Sequence, residues 1–264
     1  MAHITKCQDV EDDVWEVPKA KNWRVKRRTA GQDAASRNLD CSSGAITRPK
    51  RVVEGLTVEK LAAEFGKMRR RFKSSECAKG VGRVLKRRDW RGRVDKAVCI
   101  GIGSLSTDWE NRWRSMWQLV LFEWVVGQVS NEEQGIRLFA QEPAFLPLDI
   151  AFLSTLGITV LESGIEDHIS PSTFVFAPFV DWNLLLPTFL ADRDPELYIG
   201  NEILGDYTRF ANSEEKKGKV EECNEIGEKW REERQWVWVP EFEGGGGLEG
   251  LGVGWKEEPE EDDE

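Results

Sequence analysis

The sequence predicts an α/β domain over residues 95–210, a Rossmann-like three-layer core around a mostly parallel sheet of about five strands. Three observations predict it. Short apolar runs of the kind that form buried parallel strands alternate with helical segments along this stretch. Trp113, Met116, Trp117, Val120, Leu121 and Trp124 recur at helical spacing just after the first such run. The first, fourth and fifth runs end directly at Gly103, Pro178 and Asn201, as strands do where they turn into loops. Strand–helix alternation implies right-handed crossovers and a sheet covered on both faces.

Residues 1–55 are polar and hold no sustained period, so they read as a disordered basic arm. Residues 56–94 form a helical lead-in. Thr57 caps a helix over 57–73, with Glu59 in its first turn and Arg69, Arg70 and Arg71 at its end. Val58, Leu61, Ala62, Phe65, Met68 and Phe72 share one face of it. A second short helix is expected over 80–88. Within 95–210, strands are expected at 97–102, 136–140, 158–161, 172–177 and 197–200. Helices are expected around Trp113–Trp124, at 149–156 with Asp149 as cap and Gly157 as stop, and at 183–190. Residues 211–264 read as a charged acidic tail, partly disordered. Glu214–Arg234 suits a solvated helix, and Trp236-Val237-Trp238-Val239-Pro240 alternates like a strand that docks on a sheet edge or a partner. Gly244–Gly247 reads as a flexible break.

The net charge of −10 hides a strong polarity. Residues 1–96 carry 25 Lys+Arg against 13 Asp+Glu, residues 97–211 carry 5 against 16, and residues 212–264 carry 7 against 18. An acidic body excludes a general nucleic-acid surface, which needs a cationic face. Nucleic-acid contact or an import signal is left to the basic clusters Arg24–Arg28, Arg69–Arg71 and Lys86–Arg88, for which solvated faces are the plainer reading. The five cysteines, Cys7, Cys41, Cys77, Cys99 and Cys223, form no Cys-x-x-Cys pair and are expected as reduced thiols of an intracellular protein. No apolar signal core opens the chain, and no stretch is long and apolar enough to span a membrane.

The first candidate site is the loop Gly101-Ile102-Gly103-Ser104-Leu105-Ser106, between a strand and a helix. Glycines there let the backbone approach a ligand, and free N–H groups at a helix start favour anions. The full Gly-x-Gly-x-x-Gly is absent because residue 106 is Ser, and no phosphate-loop Gly-Lys-Ser/Thr occurs. Two readings stand: a tight turn with capping serines, or a small-ligand pocket. The second candidate is the rim at the strand ends, where Ser104, Glu142, Pro178, Asn201 and Tyr207 would converge. Glu142 is the acidic residue placed to hold a ribose hydroxyl, though it lies farther along the chain than that role usually requires. His3 and His168 are the only histidines. With no Gly-x-Ser-x-Gly elbow, nucleophilic catalysis of the Ser-His-Asp kind has no support. Glu166-Asp167-His168 lacks a metal-ligand spacing and reads as a solvated loop. Trp113, Trp117 and Trp124 read as packing, whereas Trp236 and Trp238 suit a docking site.

Several of these segments resemble the sensitivity-to-red-light-reduced domain family, in its fungal form. The likeness is carried by Val98–Ser106, Trp117-Gln118-Leu119, Glu142-Pro143-Ala144-Phe145 followed by Asp149, and Leu156–Leu161. Thr173–Pro178, Asn183-Leu184-Leu185 and Ile199-Gly200-Asn201 with Tyr207 complete it. The pieces follow in order over about residues 95–210. Glu142 stands where the family often has Asp. Phe179-Val180 replaces a His-Cys pair, so chemistry resting on that pair is not expected here. The resemblance implies regulators rather than enzymes: light signalling and the circadian clock in plants, and haem synthesis and growth in fungi and animals. It implies a place in cytoplasm and nucleus.

The reading from sequence is therefore a non-catalytic regulatory protein acting through protein partners. The rival is an enzyme or sensor that holds a nucleotide-like small molecule with Gly101, Gly103, Ser104, Ser106, Glu142, Asn201 and Tyr207. No cofactor is specified. Haem binding has only the family link behind it, and no Cys-Pro pair occurs in the chain.

Overall fold

In a computed structural model, the structure describes residues 51–107, 109–130 and 135–256. The basic arm up to residue 50, with its Arg24–Arg28 cluster, and the acidic end 257–264 lie outside the described residues.

The fold is an α/β sandwich on one mixed sheet of seven strands, in the order β3-β2-β1-β4-β5-β7-β6. The strands are β1 (Lys96–Ile100), β2 (Arg137–Gln141), β3 (Ile158–Val160), β4 (Thr173–Ala177), β5 (Leu197–Gly200), β6 (Arg234–Trp238) and β7 (Gly252–Lys256). The first five lie parallel. They are the five expected strands, and they place a reversal of strand order between β1 and β4. The expectation of about five strands within 95–210 needs correction. β7 pairs antiparallel with β5, and β6 antiparallel with β7, so the supposed tail completes the sheet. The Trp236–Trp238 alternation is the edge strand β6.

The strands alternate between two cores. Ala97, Cys99, Ala140, Phe174, Phe176, Leu197, Ile199, Val253 and Trp255 face one layer. That layer holds α1 (Val58–Lys73), α2 (Glu76–Leu85), α3 (Trp109–Val129) and α4 (Pro147–Thr155). Val98, Ile100, Val175, Ala177 and Tyr198 face the other. There the cover is α5 (Trp182–Leu184), the wider turn Leu185–Leu190 and α7 (Val220–Glu232), with the short α6 (Glu214–Lys217) before it. Period-two alternation with both faces buried is what a covered parallel sheet requires.

Local sequence explains most element ends. Thr57 caps α1, accepting from Lys60 N at 3.3 Å. Leu61, Phe65, Met68 and Phe72 are buried as expected, while Ala62 is exposed. Ser75, accepting from Ala78 N, starts α2 earlier than expected, at Glu76. The larger difference is α3. One apolar face was expected, but Ser115 to Phe122 are buried without interruption. A helix buried all round needs cover on both sides, and the segment after β6 supplies it. Phe242 meets the Trp117 ring edge-on at 4.5 Å, and Gln118 Nε2 donates to Gly247 O at 3.2 Å. Gly244–Gly247 is thus a packed strap and not a flexible break. A Cβ at Gly247 would stand 3.2 Å from Trp117 Cβ.

The basic clusters at 69–71 and 86–88 lie mostly on exposed faces, and three of their arginines make contacts within the fold. Arg69 pairs with Glu123 at 3.0 Å, and Arg71 lies 5.9 Å from the Trp117 ring centroid. Arg88 forms a buried pair with Glu196 at 2.6 Å and donates to Lys256 O, tying α2 to the start of β5 and the end of β7.

A strand-end loop closed by its own carboxylates

The candidate loop leaves β1 with Gly101 and Gly103 both in the left-handed region, at φ of 73° and 77°. Only glycine takes that backbone without strain. Gly101 also lies under Val180, the residue that arrives from β4 across the strand-order reversal. A Cβ at Gly101 would come within 2.9 Å of Val180 Cγ2. The crevice at the reversal is the usual ligand position in open α/β sheets. Here Val180 covers its floor, and Leu105 is fully buried in the helix-side core.

The loop's hydrogen-bond donors are engaged by the protein's own acids. Glu142 sits just past β2. Its Oε2 accepts from Gly103 N at 2.9 Å and its Oε1 from Ala144 N at 2.8 Å. Asp149, at the third position of α4, is 0% exposed. Its Oδ2 accepts from Ser104 Oγ at 2.8 Å and Leu146 N at 2.8 Å, and its Oδ1 from Leu105 N at 3.0 Å. Ser104 Oγ in turn accepts from Ser106 N and Thr107 N, each at 3.2 Å. Val53 N donates to Ser106 O at 2.9 Å, so the chain enters the described fold beside this loop. Asp149 was expected as the cap of its helix. It does reach back to Leu146, but it also buckles a loop 45 positions earlier, which local spacing does not reveal.

The expected rim residues fall into two groups. Gly101, Gly103, Ser104, Ser106 and Glu142 come together at the end of β1. Asn201 and Tyr207 belong to the loop after β5. Tyr198 OH donates to Asn201 O at 3.1 Å, and Tyr207 OH accepts from Leu204 N at 2.8 Å. Trp182 stacks on Tyr207 with centroids 4.9 Å apart. The link between the groups is Asn201 Nδ2, which donates to Val180 O at 3.4 Å. Burial pushes the Tyr207 hydroxyl up to about 12, and that of Tyr198 well above the usual phenol value. Neither is poised as an acid or base near neutrality.

Phe179 marks the mouth of the crevice. It is 43% exposed, with φ at 59°, and Arg114 lies 5.9 Å from its ring centroid. A bulky residue in the left-handed region is strained by about 1–3 kcal/mol, a cost that clusters at working surfaces. Leu184, nearby in sequence on α5, is also exposed.

Other candidates do not join the rim. His168 lies on the turn Ile165–His168 and stacks on Phe139 at 4.1 Å. Arg193 donates to Glu166 O. Among the described residues no group of three or more His, Cys, Asp and Glu is placed to hold a metal ion. Cys77, Cys99 and Cys223 are buried, and burial raises each thiol, to about 11 for Cys77 and Cys223. An activated thiol needs the opposite shift. No helix among the described residues is long and apolar enough to cross a membrane.

Fold and loop together define a three-layer α/β domain whose strand-end crevice is closed by its own side chains. The SRR1 domain model matches residues 73–263, and the chain belongs to that family. The match takes in α7, β6 and β7, in agreement with their place in the sheet. A comparison with curated proteins gave no match.

Proposed function

We propose that this SRR1-domain protein is a non-catalytic regulator that acts through protein partners. The observation that carries the reading is the closed loop. The N–H groups of Gly103 and Leu105, which an anionic ligand would use, already donate to Glu142 and Asp149. An incoming phosphate would have to displace two carboxylates and meet their charge. Phe179, next to Val180, and Leu184 on α5 are apolar and exposed, as the residues a protein partner uses are. The family resemblance supports a role in signalling, clock, growth or haem-synthesis control, with a place in cytoplasm and nucleus.

The test is a thermal-shift screen of the full chain, since β6, β7 and the strap belong to the fold. The panel is nucleotides, S-adenosylmethionine, nicotinamide cofactors and haemin. No stabilisation is expected. A ligand at about 100 times its Kd would add roughly 2.7 kcal/mol, a clear shift. A nucleotide or cofactor response that disappears in a folded Gly103→Trp variant overturns the reading in favour of an enzyme or sensor.

A further inference from the structure

A second feature lies away from the glycine loop. Between the last turn of α7, the loop after β5 and the start of β6 is a cleft of about 180 Å3, lined by Glu202, Ile203, Trp230, Arg231, Arg234 and Trp236. Its frame is aromatic. Tyr198 stacks on Trp236 with centroids 6.2 Å apart and meets Trp230 edge-on at 5.7 Å. The Arg234 guanidinium lies 3.7 Å from the Trp230 ring centroid.

Arg234 has a side chain only 2% exposed, and its Nη2 pairs with Asp194. Its Nε and Nη1, and the Trp236 Nε1, are buried with no acceptor among the described residues. Buried polar groups are nearly always paired, and each orphan calls for an explanation. Every unpartnered buried polar atom of the lining residues is a donor. These buried donors therefore lack an acceptor, while Glu202 stands at the exposed side of the cleft. Its size is enough for a benzene-sized ring, which a cavity of about 150 Å3 already admits. Indole walls suit a flat ring, and a buried guanidinium suits an anion.

We infer that this cleft binds a small planar aromatic carboxylate. Its ring lies against Trp230 and Trp236, and its carboxylate accepts from Arg234 and Trp236. The inference stands apart from the partner-binding reading. A ligand response lost in Gly103→Trp belongs to the rim, and one lost in Trp236→Phe belongs to this cleft.

Benzoate is the probe, titrated into the full chain carrying 15N-labelled tryptophan. The Trp236 indole N–H signal, identified by its loss in Trp236→Phe, is expected to move downfield and saturate as it gains an acceptor. By calorimetry, Trp236→Phe keeps the wall, loses the donor and weakens benzoate tenfold or more. Benzamide, of the same shape without the charge, is expected to bind at least tenfold more weakly than benzoate. Arg234→Lys repeats the test with the charge kept and the guanidinium donors removed, and serves should Trp236→Phe not fold. No saturable response at millimolar benzoate, the result of a cleft that holds only water, overturns the inference. So does a benzoate affinity unchanged in the folded variants.

Discussion

Asp149→Ala is expected to destabilise the protein by roughly 3–6 kcal/mol. The carboxylate is fully buried and accepts from three donors, Ser104 Oγ, Leu105 N and Leu146 N. Each buried donor left without a partner costs about 1–3 kcal/mol, and bonds to a charged acceptor are the stronger kind. The loss has two structural consequences at once. The start of α4 loses its reach-back to Leu146, and the loop after β1 loses its anchor to α4. Asp149→Asn separates charge from shape. It retains one carbonyl oxygen but turns an NH2 group toward N–H donors, so about half of the loss is expected. Denaturant unfolding of the three proteins reads the result as a change in midpoint at constant slope. A loss under about 1 kcal/mol for the alanine variant would mean that water enters and replaces the carboxylate.

Trp117→Ala is expected to cost about 3–5 kcal/mol, the range for deleting a large aromatic from a core. Trp117 is 0% exposed at the middle of α3. Phe242 from the strap lies 4.5 Å away and Trp113 5.5 Å away, both edge-on. The void would therefore open between α3 and the strap, and loosen the segment that connects β6 to β7. Trp117→Phe gives the control. The indole Nε1 has no hydrogen-bond partner among the described residues, so the smaller ring forfeits packing alone and a loss below about 2 kcal/mol is expected. Thermal unfolding with a strap-sensitive readout, such as proteolysis near Gly244–Gly247, distinguishes local loosening from global loss. A neutral alanine variant would place Trp117 outside the core.

How much of this was legible in the sequence varied with the range of the interaction. The five parallel strands are legible because each lies in a short, mostly apolar run, and three of the runs close directly at Gly103, Pro178 or Asn201. The caps at Thr57 and Ser75 act over three positions, and the first was visible for that reason. The helix α3 was visible, but its second buried face was not. That face is covered by residues from the far end of the chain, which charge and glycine content made look like a tail. β6 showed its alternation, whereas β7, Gly252-Val253-Gly254-Trp255-Lys256, carries two glycines and no clear strand signal. In the site, Glu142 is legible as the acid of the strand-end rim, but its contact with the loop's own Gly103 is not. Asp149 and Val180 were missed as loop closers because their partners lie far away in sequence. The cleft at Arg234 left no local signal beyond an aromatic-rich stretch.

The central claim is that the loop after β1 is occupied by the protein itself. Amide hydrogen exchange at Gly103 and Leu105 in the unliganded full chain tests it most directly. Both amides are expected to be protected to the level of the β1 amides of Val98 and Cys99, because each donates to a carboxylate in a closed loop. Gly103 is expected to lose that protection in Glu142→Ala while the β1 amides keep theirs. Exchange of Gly103 and Leu105 at the rate of an open loop would contradict the account, and would leave the glycine loop free for a ligand.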